Sequence, residues 1–170
     1  MEIFKEQLVT KLPDKHDQIR KVLIILASIS LAILIFVLLM GTAFAAIGLV
    51  LAGLALYGGY YLLTAQMIEY EYILTNGEID IDKIVARRSR KRLATIKLNT
   101  AKEFGEVDVN LKVSDNETLV KADANDPEQK DYYVRVNHKS LGETVLVFTP
   151  SEEMLELVKE SLPRTLRYRR

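Results

Sequence analysis

The chain has 170 residues whose 23 basic and 23 acidic side chains balance, so overall charge indicates neither a nucleic-acid-binding protein nor an acidic tail. It contains no cysteine, which excludes disulfides, thiol nucleophiles and cysteine-ligated zinc or iron–sulfur sites. The length accommodates one modest domain, and the apolar residues are concentrated in a single block near the N-terminus.

Residues 1–21 form an N-terminal segment that precedes the apolar block and is predicted to be cytoplasmic. Ile3, Phe4, Leu8 and Leu12 recur near helical spacing, and Pro13 ends the pattern. This spacing is typical of a short amphipathic helix lying on lipid headgroups. A floppy tail fits equally well, because so short a helix is marginal in water.

Residues 22–63 carry no charged side chain. As one helix they would extend about 63 Å, whereas the core of a bilayer is about 30 Å thick. We therefore predict two transmembrane helices within residues 22–65, at about 22–40 and 43–63, separated near Gly41-Thr42. A signal-peptidase site at Ala43-Phe44-Ala45 is disfavoured, because the preceding apolar run is too long for a signal peptide.

The second predicted span carries a stripe of small residues at alternating spacings of three and four: Ala45, Gly48, Ala52, Ala55 and Gly59. Such a stripe permits close approach of two helix backbones. We predict that it packs on the first span, near Ala27 and Ser30. Self-association of the chain is the alternative.

The charges that flank the spans predict the orientation. Lys11, Lys15, Arg20 and Lys21 precede the first span, and the connection between the spans carries no charge. Positive residues favour the cytoplasmic side, so we predict a multi-pass protein of the cell membrane with both termini cytoplasmic.

Residues 66–163 change to a period of two, which predicts a mostly β cytoplasmic domain. Ile68–Thr75 and residues 78–86 flank Asn76-Gly77, a pair typical of the type I′ turn of a β-hairpin. Pairing of Thr75 with Glu78 sets Glu71 opposite Asp82. This like-charge pair needs a nearby cation, for which Lys97 is the candidate.

Five basic side chains follow this hairpin within six positions: Arg87, Arg88, Arg90, Lys91 and Arg92. The hairpin register brings this run back beside Gln66, next to the end of the second span. We therefore predict a contact with anionic lipid headgroups. A solvated loop is the alternative, and binding of nucleic acid is disfavoured because no aromatic residues are interleaved.

The remaining pattern predicts further strands, an irregularity at Lys83-Ile84, an exposed acidic loop over 123–131 and a final helix. The strands are expected at 93–98, 107–113, 118–122, 132–137 and 144–148. Thr149 as cap and Pro150 at the first position predict a helix over 150–162, which packs on one end of the strands. A basic tail follows, residues 164–170.

The sequence carries no recognisable catalytic, cofactor-binding or metal-binding motif. Its two histidines, His16 and His138, lie in different regions, so a histidine-based triad or metal site is not expected. No phosphate-binding loop, dinucleotide-binding glycine pattern or nucleophile elbow occurs. The acidic loop lacks the spacing of a calcium site. We predict that the protein is not an enzyme and uses no cofactor.

The order of elements resembles that of membrane-anchored bacterial PH-like proteins. Tyr70–Gly77, then Ile79 and Arg87-Arg88, resembles the opening hairpin of such domains. Together with Gly142–Phe148 and Leu162-Pro163-Arg164, it makes the chain similar to a small uncharacterised family of Firmicutes membrane proteins. The resemblance implies a membrane protein: a two-helix transmembrane hairpin, then a PH-like antiparallel β barrel or sandwich with a C-terminal capping helix. It implies no catalytic residues.

These observations support a membrane-anchored, non-enzymatic interaction module that binds a protein or anionic lipid headgroups at the cytoplasmic face. The alternative is an accessory subunit or assembly factor of a larger membrane complex. The expected partners are the bilayer itself and a protein, a second copy of the chain or an anionic lipid, but no nucleic acid.

Overall fold

The computed structural model describes residues 3–108 and 111–167, which form two compact units. One unit contains residues Pro13–Met67, and the other combines Met1–Leu12 with Ile68–Arg170. The helices are α1 (Lys15–Met40), α2 (Ala45–Thr64), α3 (Glu152–Ser161) and α4 (Arg164–Arg167). The strands are β1 (Phe4–Thr10), β2 (Ile68–Thr75), β3 (Glu78–Val85), β4 (Ser89–Lys97), β5 (Glu103–Glu106), β6 (Thr118–Ala122), β7 (Tyr132–His138) and β8 (Gly142–Phe148).

The N-terminal segment is a β-strand, so the predicted amphipathic helix is wrong. β1 pairs antiparallel with β2, from Phe4 opposite Thr75 to Thr10 opposite Glu69. On the inner face of β1, Val9 is buried, and the Gln7 amide donates to the Thr149 carbonyl at 3.1 Å and accepts from Ser151 N–H at 2.9 Å. Pairing with β2 therefore outweighs the weak local preference of this segment for helix.

The helical unit is a hairpin of α1 and α2, each long and apolar enough to cross a membrane. α1 begins earlier than the predicted span, at Lys15, because Asp14 forms a capping box with Asp17. It ends at Met40, beside the predicted break. Along both helices the large apolar side chains are mostly exposed, as in a helix that faces lipid.

Three small residues of α2 are buried in the helical hairpin. Gly48, Ala52 and Gly59 are the buried positions of α2, and Ala32 is the buried position of α1. A Cβ placed on Gly59 would lie 2.5 Å from Ser28 Cβ, and one on Gly48 would lie 2.7 Å from Leu39 Cβ. Three of the five stripe residues thus lie buried in the hairpin, with Gly59 against Ser28 and Gly48 against Leu39, whereas Ala45 and the predicted contact Ser30 are exposed.

Two adjacent glycines of α2 provide a matched test of this packing. Gly59→Ala is expected to destabilise the hairpin by about 1–2 kcal/mol, because the new methyl group overlaps Ser28. Gly58→Ala meets no atom within 4 Å and should be neutral or stabilising, since alanine favours helix. Thermal unfolding of the full chain in detergent micelles, followed by circular dichroism, measures both. Equal effects of the two substitutions would contradict the packing.

The first sheet has the order β1-β2-β3-β4 and contains the predicted hairpin. Asn76 and Gly77 both have positive φ, 48° and 84°, and the register pairs Thr75 with Glu78 as predicted. The irregularity lies between Ile81 and Asp82 in the β3–β4 ladder, and not at Lys83-Ile84. The inner face of this first sheet contributes buried side chains to the core: Tyr72, Leu74, Ile79, Ile81 and Ile96.

The second sheet has the order β5-β7-β8-β6 and is mixed, because β6 runs parallel to β8. No strand pair joins it to the first sheet in the part of the chain that the structure describes. The domain is therefore an open pair of sheets, and the expected barrel closure is wrong. Tyr72 from one sheet meets Phe148 from the other edge to face, with ring centroids 5.8 Å apart.

The predicted strand over 107–113 is absent from its described residues, and Val109 and Asn110 lie outside the described part. The strand lies earlier, at Glu103–Glu106, where β5 pairs with β7. Val107 N–H then donates to the Asp131 carbonyl at 2.8 Å, where the ladder ends. An alternating pattern without a neighbouring strand edge does not form a strand.

Helix α3 packs its Met154 and Val158, with Leu162 just beyond it, into the core between the sheets. It begins later than the predicted 150–162, at Glu152, because Ser151 is the cap and its hydroxyl accepts from Met154 N–H. Thr149, the predicted cap, is buried and makes other hydrogen bonds. Of the predicted basic tail, Arg164–Arg167 form the short helix α4, and residues 168–170 lie outside the described part.

Candidate functional site

The predicted lipid-contact run consists of a tight turn and the first half of a strand, and all five of its basic side chains are exposed. Arg88 N–H donates to the Val85 carbonyl at 3.0 Å, and Ala86 and Arg87 between them have φ of 54° and 55°. Left-handed backbone costs about 1 kcal/mol at residues other than glycine, so this turn is strained. Arg90, Lys91 and Arg92 then belong to β4.

Three arginines of the run bind carboxylates on the neighbouring strands. Arg87 Nε lies 3.1 Å from Glu69 Oε1, and Arg90 Nη2 lies 2.7 Å from Glu71 Oε2. Arg92 Nη1 lies 2.6 Å from Asp80 Oδ2, and its Nε contacts Asp82. These contacts form an arginine–carboxylate ladder across β2, β3 and β4, which we define as Glu69, Glu71, Asp80, Asp82, Arg87, Arg90 and Arg92.

Two carboxylates of the ladder are buried, and its arginines are the exposed members. The side chains of Glu69 and Asp82 are 9% and 4% exposed, whereas that of Arg87 is 76% exposed. Buried carboxylates require a counterion, and the arginines provide it. The hydrogen bond to Asp82 correspondingly raises the pKa of Arg92.

The ladder also resolves the like-charge pair of the hairpin. Glu71 lies opposite Asp82, as the register predicts, but Lys97 is not their partner. Arg90 and Arg92 neutralise the two acids, whereas Lys97 Nζ lies 2.8 Å from Glu78 Oε1. The shift in the β3–β4 register sets Arg92 directly opposite Asp82, a position that regular alternation does not predict.

The net charge of this surface is therefore small. Four carboxylates offset three of the five basic residues, and Lys91 makes no ion pair within the described residues. Opposite charges held within a few ångströms cancel at distances beyond the Debye length, about 10 Å at 0.1 M salt. The run presents a weaker positive potential than its sequence indicates.

The chain enters and leaves the first sheet, before α1 and after α2, at the end of the strands where the arginine turn also lies. Lys11 N–H donates to the Ile68 carbonyl at 3.0 Å, and Ile68 pairs with Val85, which begins the turn. Leu12 N–H further donates to the Ala124 carbonyl at 2.7 Å. The residues before α1 and after α2 are thus hydrogen-bonded to one another and to the predicted acidic loop.

A buried polar cluster joins Tyr72 of the first sheet to residues in and beside the second sheet. The Tyr72 hydroxyl contacts the Ala122 carbonyl and accepts from Thr149 N–H at 3.2 Å. The Thr149 hydroxyl donates to Asp131 Oδ1 at 2.5 Å, and Asp123 is 3% exposed. Burial raises the pKa of Tyr72 and, together with the charge of Asp123, that of Asp131.

The raised pKa of Asp131 gives a pH prediction. The Asp131 carboxyl binds its proton more tightly in the folded state than in the unfolded state. Protonation of Asp131 therefore stabilises the fold fully below the ordinary carboxyl pKa, and this stabilisation is lost as pH rises through the raised pKa. Asp131→Asn should therefore raise stability at pH 7 and flatten its dependence in the mildly acidic range, since the amide oxygen still accepts from Thr149. Thermal unfolding between pH 4 and 7 measures this. The exposed Asp115→Asn is the control, and an equal response would contradict the assignment.

An opening separates the two sheets where no strand pair closes them. It has a volume of about 300 Å³ and lies between β4 and the end of β7. Thr95, Ile96, Lys97 and Thr100 line one side, and Val136, Asn137, His138 and Lys139 line the other. The sequence predicts a barrel or sandwich of strands and does not indicate this opening.

The described residues offer little for catalysis. The His138 ring nitrogen Nδ1 lies 3.3 Å and 3.2 Å from the N–H groups of Ser140 and Leu141, so it acts in the β7–β8 turn. Within 3–108 and 111–167, no group of three or more histidine, aspartate or glutamate side chains could hold a metal ion.

Residues 1–168 match the family described as "Bacterial PH-like domain (DUF6106)". No curated protein and no solved structure gives a match to the chain. The family match extends over β1, both long helices, the two open sheets and α3. The chain therefore belongs to the bacterial PH-like domain family DUF6106.

Proposed function

We propose that the chain is a membrane-anchored, non-enzymatic interaction module whose PH-like domain binds a partner protein at the cytoplasmic face of the cell membrane. The family match supports an interaction module, since PH-like domains are in general not catalytic. The ligand and the topology belong to the proposal, and three features of the chain support them.

The helical hairpin supports the anchor. Exposed Leu, Ile, Val and Phe side chains cover α1 and α2. Of the most apolar 18-residue stretch of each helix, only 6% in α1 and 11% in α2 is buried. So large an apolar surface needs a non-aqueous partner. A bilayer core about 30 Å thick matches helices of 26 and 20 residues.

The pairing of β1 with β2 supports a double crossing, and it is the observation that carries the proposal. β1 precedes α1, and β2 follows α2, yet they form one continuous ladder of seven residue pairs. Two strands of one sheet must lie in one compartment, so any crossing by α1 has to be reversed by α2. The basic flank of α1, with Lys15, Arg20 and Lys21, favours the cytoplasm for that compartment.

The arginine–carboxylate ladder supports a protein partner over a lipid. Binding to anionic headgroups depends on uncompensated basic residues near the surface. Here Glu69, Glu71, Asp80 and Asp82 hold three arginines of the run in place. The run accordingly stabilises the first sheet, and little positive charge remains to attract headgroups.

The test separates lipid contact from protein contact in the full chain. A single cysteine at Ser89, an exposed position that leaves all five basic residues in place, carries an environment-sensitive fluorophore. The labelled chain is reconstituted in nanodiscs of neutral or of partly anionic lipid. We expect the same emission in both lipids and no effect of salt. A shift that appears only with anionic lipid and disappears at high salt would establish headgroup binding instead.

A second arm of the experiment tests the protein partner directly. A photo-crosslinking residue is placed at exposed positions of the domain, and the full chain is irradiated in native membranes. The proposal predicts a discrete protein adduct whose yield depends on the position of the crosslinker. Adducts at no position of the domain would reject the interaction module.

The alternative, an accessory subunit of a larger membrane complex, is supported by a groove between the two helices. The groove has a volume of about 340 Å³ and is lined by Ala27, Ser28, Ala55, Gly58 and Gly59 with three larger residues. Small residues allow another helix to approach closely. Crosslinkers in this groove that capture a membrane protein, while those on the domain capture none, would favour this alternative.

A further inference from the structure

The opening between β4 and β7 fits a specific kind of partner. Resting on the proposed function, we propose that an extended segment of the partner protein adds to the free edge of β4 and places an apolar side chain in the opening. In this partner segment acidic residues alternate with the apolar ones, and they face the lysines Lys97 and Lys139 on the rims of the opening. The proposal follows from three properties of the opening: its backbone groups, its lining and its charge.

The backbone of β4 presents unpaired groups to the opening. Leu98 N–H donates to the Gly77 carbonyl at 2.9 Å, on the β3 side. N–H and C=O groups alternate sides along a strand, so those of Ile96 also point to β3 and those of Thr95 point away. β3 is the one strand that pairs with β4 in the described chain, so the backbone groups of Thr95 and the N–H of Lys97 face the opening. The Lys97 carbonyl is already engaged, because it accepts from the Thr100 hydroxyl at 2.8 Å.

The backbone of β7 completes the other side. Lys102 N–H donates to the Arg135 carbonyl at 2.8 Å, so the groups of Arg135 point towards β5. Asn137, two residues later, points the same way, but the β5 ladder ends at Arg135. The groups of Asn137 therefore face the opening beyond the end of β5. Free edges of this kind pair readily with an extended chain.

The lining suits an apolar side chain with acidic neighbours. Ile96 and Val136 form the floor and are 0% and 2% exposed. None of the eight lining residues is acidic, and Lys97 and Lys139 stand on opposite rims. Lys97 already binds Glu78, so Lys139 is the principal cation for an incoming carboxylate. Charge complementarity thus selects an acidic segment rather than a basic one.

The test uses a defined probe and the full chain in detergent micelles. The probe is a fluorescent eight-residue peptide in which valine alternates with glutamate, and its affinity is measured by fluorescence anisotropy. One control peptide replaces glutamate with lysine. A second carries N-methyl groups on alternate amides, which removes the hydrogen bonds that strand addition requires.

We expect the acidic peptide to bind, the lysine peptide to bind more weakly and the N-methylated peptide to lose binding. Hydrogen exchange should show new protection at the amides of Thr95, Lys97 and Asn137. Lys139→Glu should weaken binding about threefold, as for an exposed ion pair. Lys159→Glu, an exposed lysine on α3, should leave affinity unchanged.

Three results would overturn the inference: no binding of the acidic peptide, equal binding of its N-methylated form, or protection confined to other parts of the domain. Protection of the same amides by anionic vesicles alone would overturn it too. Each of these results leaves the proposed function standing if crosslinkers elsewhere on the domain still capture a protein. Absence of any such adduct would reject both.

Discussion

Deletion of residues 3–10 is expected to destabilise the PH-like domain by more than about 3 kcal/mol. The deletion removes the ladder between β1 and β2 and the buried side chain of Val9. Burial of one such side chain contributes about 1.5–3 kcal/mol, and each net backbone hydrogen bond adds about 0.5–1.5 kcal/mol. It also leaves Thr149 and Ser151 without the amide of Gln7. Urea denaturation of the full chain in micelles measures the loss.

The matched variant keeps β1 and removes the helices instead. Residues 13–67 are replaced by a flexible linker of about four residues, a length that closes a β-hairpin. Because Lys11 and Ile68 are hydrogen-bonded at 3.0 Å, this linker should join β1 to β2 without distortion. We expect a domain that is soluble without detergent. An unchanged urea midpoint after deletion of residues 3–10 would show that β1 is no part of the domain.

Arg92→Ala is expected to cost about 2 kcal/mol of stability, which is the second large effect. Asp82, whose side chain is 4% exposed, would lose its closest cation, and Asp80 would lose one as well. Breaking a fully buried ion pair costs about 3–5 kcal/mol, and the half-exposed guanidinium lowers that figure here. Thermal unfolding in micelles detects this loss.

Two further variants show whether the effect belongs to the ladder. Lys91→Ala removes the adjacent charge, which has no ion pair within the described residues, and should change stability by less than about 0.5 kcal/mol. Asp82→Asn combined with Arg92→Ala should recover part of the loss, because the uncompensated carboxylate is gone. A run that serves lipid alone would respond differently: Arg92→Ala would leave the unfolding temperature unchanged.

The hairpin of β2 and β3 shows what the sequence is able to predict. Asn76-Gly77 allows the positive φ angles of a type I′ turn, and the turn determines every pairing from Glu78 to Val85. The two long helices follow similarly from an uncharged stretch and its length. These features depend on local chemistry, which the order of residues contains directly.

β1 shows what local patterns do not contain. Its inner positions hold Lys5 and Gln7 and its outer ones Phe4 and Leu8, so no apolar face with a period of two marks it as a strand. Lys5 instead forms an ion pair with Glu153, and the Gln7 amide donates to the Thr149 carbonyl. Both partners are more than a hundred residues away along the chain. Only the assembled domain supplies these partners.

The basic run shows why a charge cluster alone does not define a site. Its neighbours in sequence are basic, but its neighbours in space are Glu69, Glu71, Asp80 and Asp82. The register shift after Ile81 determines which acid each arginine meets. The opening between the sheets depends likewise on where β5 ends, which no residue pattern predicts.

Cysteine accessibility tests the central claim, that the strand before the helices and the domain after them share one compartment. The chain has no native cysteine, so single cysteines at Glu6, Thr42 and Glu128 report on β1, the helix connection and the domain. With a membrane-impermeant thiol reagent on intact cells, we expect labelling at position 42 alone, and labelling at 6 and 128 only after lysis. Labelling of 6 and 128 from opposite sides of the membrane would contradict the account.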